Sequence, residues 1–175
     1  VMPDRVDARE RAWRGKDAVV VGGSLGAVQA LRELLPQLPA DYRLPVIVVL
    51  HQYRHTGESL GRLLAEHCAL PVSSIEDKAP IEPGRVYVSP ANYHVLIEPA
   101  HSFALSIEPP VNFARPSIDV TFESAARVYG ARLVGVLLSE SGLIDKPHNE
   151  RRELDGGRWK VRRPRKLAPK STSRR

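Results

Sequence analysis

Residues Ala18 to Val28 read AVVVGGSLGAV. An apolar, β-branched run passes straight into glycines, with one serine, Ser24, at the bend. Such a bend either cradles a phosphate on its backbone amides or holds the serine up as a nucleophile. The phosphate reading fails on spacing. A dinucleotide fingerprint needs G-x-G-x-x-G, whereas the turn is Gly22-Gly23-Ser24-Leu25-Gly26-Ala27. The acid that would hold a ribose at the end of the second strand is replaced by His51, and no Lys-Ser or Lys-Thr pair follows the glycines. No cofactor is therefore expected.

The nucleophile reading fits better. Gly22-x-Ser24-x-Gly26 has the small flanks that let a serine occupy a tight strand-to-helix turn. A helix start beside it offers backbone N–H groups to an oxyanion. His51 ends the next apolar run, PVIVVLH, in position to take the hydroxyl proton. An acid further along the chain would orient that histidine. The chain order is then serine, histidine, acid. An α/β-hydrolase runs serine, acid, histidine, so that fold is disfavoured.

After this turn, Val28, Leu31, Leu34, Leu35 and Leu38 recur at helical spacing up to Pro39. Val46 to Leu50 is a second strand, SLGRLLAEHCAL a second helix stopped by Pro71, and Val72 to Ile75 a short strand. PGRVYVSP gives a turn and another strand, and YHVLIEPAHSFALSIEPP a β-hairpin around Pro99-Ala100. Pro116 to Tyr129 is helical, with Ser117 as N-cap and Gly130 as C-cap. LVGVLLS is the last strand. Strands alternating with helices predict an α/β fold. Its sheet is doubly wound and mostly parallel, with helices on both faces and an antiparallel hairpin insertion.

The chain has 175 residues and a formal charge of +6. That charge is unevenly spread. Lys146 to Arg175 holds twelve Lys or Arg against three acids, leaving −3 for the rest. The organisation expected is a polar lead-in over 1–17, a catalytic domain over 18–145 and a basic, disordered tail over 146–175. The body carries no nucleic-acid footprint, and the tail lacks interleaved aromatics or a motif, so nucleic acid is not expected as a partner. No apolar run reaches the length of a membrane span, and the single cysteine, Cys68, suits a reducing compartment. A cytoplasmic protein without membrane insertion is expected. His55, His67, His94, His101 and His148 show no metal-ligand spacing and read as surface or hydrogen-bonding residues. No metal is expected.

VGGSLGAVQAL, VIVVLHQ, IEPGRVYVSPANYHVLI, PPVNFARPSIDVTFESAARVYG and LVGVLLS together resemble the catalytic domain of the chemotaxis protein-glutamate methylesterases, of CheB type. The most specific parts are Asn112-x-x-Arg115-Pro116-Ser117-x-Asp119 and the run from Pro83 to Val88. The resemblance implies a serine hydrolase that removes methyl esters from glutamates of chemoreceptor-type proteins, and in some members deamidates glutamine. It implies methylated receptors as substrate partners and a separate receiver or signalling protein as regulator. Carried over by position, Ser24 is the nucleophile and His51 the base. The family's acid lies a few residues past the last strand. Counted from Ser139, its place falls on Ile144, so Asp145, one position late, is the acid expected here. Ala27 stands where the family has another glycine. Asn112, Arg115 and Asp119 either line the substrate cleft or cap the helix near Ser117. A rival reading is a catalytically disabled binding module, its acid loop altered and the family's C-terminal strand and helix replaced by the basic tail.

Overall fold

The computed structural model describes residues 14–51, 57–66, 68–138, 151–155 and 158–162. Strand β1, Ala18–Gly23, is buried along its length. A short 3-10 turn over Leu25–Ala27 leads into helix α1, Val28–Leu34. The apolar spacing predicts one helix up to Leu38. Instead α1 gives way at Leu35 to a 3-10 turn containing Pro36, whose ring nitrogen has no hydrogen to donate to the helix. Strand β2, Val46–Leu50, is also fully buried, and α2, Gly57–Ala65, follows. Strands β3, Val72–Ser74, and β4, Val86–Val88, complete the first half.

The hairpin predicted around Pro99 is present as β5, His94–Glu98, and β6, Ser102–Ser106. Helix α3, Ile118–Tyr129, carries the chain to β7, Leu133–Leu138. Gly130 ends α3 in a positive-φ conformation, as its C-cap assignment requires. Ser117 occupies the N-cap position but gives no side-chain cap. Its backbone N–H donates to His94 instead. Within the basic tail, β8, Arg151–Asp155, and β9, Arg158–Arg162, pair antiparallel.

The main sheet has the order β3-β4-β2-β1-β7, with every pairing parallel. Alternation along the strands sends successive side chains to opposite faces. Val19, Val21, Val46, Val48 and Leu50 pack with Leu31 and Leu35 of the α1 segment and Leu60 and Leu64 of α2. Ala18, Val20, Ile47 and Val49 pack on the other face with Phe122, Ala125 and Tyr129 of α3 and with Val95, Ile97 and Phe103 of the hairpin. The sheet is thus doubly wound, with the hairpin completing the α3 layer. Among the described strands, β7 is an edge, and its Leu137 is 57% exposed.

Candidate active site

Parallel sheets collect functional groups where strands end and the strand order reverses. Here β1 lies between β2 and β7. Its last residue, Gly23, is paired with Leu50 on one side and Leu138 on the other. The next residues along these strands are Ser24, His51 and Ser139. Ser24 and His51 are therefore side by side at the carboxyl ends of adjacent strands, which run about 4.8 Å apart. The His51 N–H donates to the Gly23 carbonyl at 3.0 Å, locking this register. Strand alternation, continued one residue further, carries both side chains to the α3 side of the sheet. Ser24 is half-buried and His51 exposed. Just after Ser24 the chain tightens into the 3-10 turn, closed by Ala27 N–H on the Ser24 carbonyl at 3.0 Å. Asp145, the expected acid, lies outside the described residues, as do His55, His67 and His148.

The glycines have a different reason from the one the sequence suggests. Gly22 and Gly23 belong to β1, and neither takes a positive φ. A Cβ on Gly22 would lie 2.5 Å from Ile118 Cγ2 and 3.1 Å from the Phe122 ring. A Cβ on Gly23 would lie 2.7 Å from the Ala27 Cβ and 3.1 Å from the Leu138 carbonyl oxygen. These two residues are glycine so that α3 and the post-serine turn can close on the strand end. Ala27 is fully buried, and its methyl fills the space beside Gly23.

Asn112 and Arg115 both lie on the segment between β6 and α3. Asn112 Nδ2 donates to Asp119 Oδ2 at 2.9 Å, tying the segment to the first turn of α3. Arg115 Nη1 donates to the carbonyls of Ile107 at 2.7 Å and Glu108 at 3.0 Å. These side chains brace the loop beside the strand ends. His94 braces it from beneath. The residue is 2% exposed. Nδ1 accepts from the Ser117 N–H at 3.1 Å, and Nε2 donates to the Pro109 carbonyl at 3.1 Å. A neutral imidazole protonated on Nε2 satisfies both contacts. The sequence marks His94 only as one polar residue in an alternating strand, and its two partners are distant in the chain. Away from the strand ends, Lys78 Nζ pairs with Glu98 Oε1 at 2.6 Å on the hairpin. That hydrogen bond holds the Lys78 ammonium above its ordinary pKa and the Glu98 carboxylate below its own.

Residues 19–143 match the CheB methylesterase family. A putative protein-glutamate methylesterase/protein-glutamine glutaminase of Leptospira interrogans is 42% identical over 123 residues, covering 70% of this chain and 64% of that protein. The protein-glutamate methylesterase/protein-glutamine glutaminase of Symbiobacterium thermophilum is 40% identical over 124 residues, covering 71% of this chain and 34% of that one. Among solved structures, the CheB methylesterase catalytic domain of Thermotoga maritima superposes with a TM-score of 0.67 at 30% identity. That match covers 70% of this chain and 66% of the Thermotoga chain. The chain spans under two thirds of the length of both curated relatives.

Proposed function

The chain belongs to the CheB methylesterase family, and from that premise we propose that it hydrolyses glutamate γ-methyl esters on protein substrates. Methylated chemoreceptor-type proteins are the substrates proposed, and glutamine deamidation is the companion reaction. The observation that carries the reading is the β1–β2 register, which sets Ser24 beside His51 at the carboxyl ends of neighbouring strands.

In the reaction proposed, His51 takes the Ser24 hydroxyl proton as Oγ attacks the ester carbonyl carbon. The tetrahedral intermediate carries its negative charge on the former carbonyl oxygen. Backbone N–H groups just after Ser24 are the oxyanion donors proposed. Collapse breaks the bond to the methoxy group, which leaves as methanol with the proton from His51. Water, deprotonated by the same imidazole, then attacks the acyl-enzyme and releases the glutamate carboxylate and Ser24. Asp145 is proposed to orient the His51 ring and stabilise its charged form. Asn112 and Arg115 are proposed to form the wall of the substrate cleft, through the loop that they brace. A separate receiver or signalling protein is the regulator proposed. Among the described residues no helix is long and apolar enough to cross a membrane.

Methanol release from a peptide carrying one glutamate γ-methyl ester tests the reading. Wild type should turn over, and Ser24→Ala should lose activity down to the assay background. Loss of a serine nucleophile costs on the order of 10⁶ in kcat. An Ser24→Ala protein as active as wild type would refute it.

A further inference from the structure

The loop braced by Asn112, Arg115 and His94 ends in a tight turn. Val111 and Ala114 exchange both backbone hydrogen bonds, at 3.1 and 3.0 Å. Asn112 and Phe113 between them have φ of 50° and 62°. Turns of this kind require positive φ at both central positions, and glycine is the usual second residue. Asparagine tolerates the left-handed region, but a bulky aromatic there is strained. Phe113 is also 103% exposed. Its ring therefore gains nothing from the fold that would offset the strain. Ile107 and Val111 of the same loop are 72% and 38% exposed as well.

The turn stands at the serine end of the sheet. Asn112 is bonded to Asp119, and the adjacent Ile118 packs against Gly22, two residues before Ser24. A strained residue beside a site, held by a braced loop, is an observation from which function can be inferred. We propose that Phe113 is a specificity-determining residue, an aromatic anchor for an apolar side chain next to the esterified glutamate of a polypeptide substrate. This rests on the hydrolase reading for the identity of the substrate. The hydrogen-bonded turn fixes the backbone that presents the ring, so little backbone freedom is lost on contact.

Two peptides test the anchor, each with one glutamate γ-methyl ester, one with leucines within four residues on both sides and one with serines there. Wild type should prefer the leucine-flanked peptide in kcat/KM by about tenfold, the scale of a single aromatic anchor. Phe113→Gly should lose that preference, and Phe113→Tyr should keep it. The ratio is internal to each protein, so a changed fraction of folded enzyme cancels. Melting provides a second readout. Phe113→Gly relieves the positive-φ strain and should melt at or above the wild-type temperature. Affinity of the two peptides for Ser24→Ala, with and without Phe113→Gly, reads the same preference without turnover. A chain that hydrolyses neither peptide, yet binds the leucine-flanked one more tightly only when Phe113 is present, upholds the anchor and defeats the hydrolase. A Phe113→Gly protein that keeps the full leucine preference, in turnover or in binding, overturns the anchor.

Discussion

Gly22 shows how much one missing side chain positions. Its Cα faces Ile118, Phe122 and Leu137, and a single methyl would overlap the branched carbon of Ile118. Gly22→Ala should therefore destabilise the protein by about 1–3 kcal/mol, the usual cost of overpacking a core. The check is a urea melt, in which the midpoint falls. Since the backbone there takes no positive φ, the loss comes from crowding alone. Glycines in an apolar run are visible in the sequence, but their reason is not. Both a phosphate turn and a nucleophile turn accept them, and only the position of α3 shows that they admit a helix. Tyr129, at the other end of α3, gives a test in pH. Burial pushes its phenol up to about 12, with Asp17 and Tyr87 adding to the shift. A folded-state pKa raised above the unfolded value near 10 favours the protonated form. The stability this contributes is fully present below about pH 10 and is lost as pH rises toward 12. Melting temperatures of wild type and Tyr129→Phe, followed from pH 9 to 12, should show a smaller alkaline fall in the variant.

At the scale of elements, α3 is joined to β5 by hydroxyls. The Thr121 Oγ1 donates to the Val95 carbonyl at 2.8 Å. Ser124 Oγ accepts from the Ile97 N–H at 3.1 Å and donates to the Thr121 carbonyl at 3.0 Å. The free edge of a two-stranded hairpin is thereby satisfied by a helix instead of a third strand. Ser124→Ala leaves the buried Ile97 N–H without its acceptor and should cost about 1–3 kcal/mol. Hydrogen exchange gives the location, with faster exchange expected first at Ile97. The periodicity of SIDVTFESAARVY marks a helix clearly, and the Gly130 stop is equally legible. Thr121 and Ser124 read there as ordinary polar positions, because their partners lie more than twenty residues away. The same limit applies to the Ser117 cap. A local rule assigns its side chain to the helix start, whereas the contact with His94 is made by its backbone. Phe113 escapes sequence reading for another reason, since nothing but the turn geometry separates an exposed aromatic from a core one.

For the whole molecule, strand order turns a list of residues into a site. The alternation of strands and helices is enough to predict a doubly wound parallel sheet, and the motifs point to the family that the chain belongs to. What places Ser24 centrally is the reversal at β1, with β2 and its His51 on one side and β7 on the other. That order depends on pairings across more than a hundred residues, beyond the reach of local patterns. The proposed reaction requires Ser24 to be an activated nucleophile. A fluorophosphonate, which attaches covalently to activated serines, measures this directly by intact mass and peptide mapping. A single adduct on Ser24 is expected, formed at least about a hundredfold more slowly in His51→Ala because the proposed base is gone. An unlabelled Ser24, or an adduct formed as fast without His51, would contradict it.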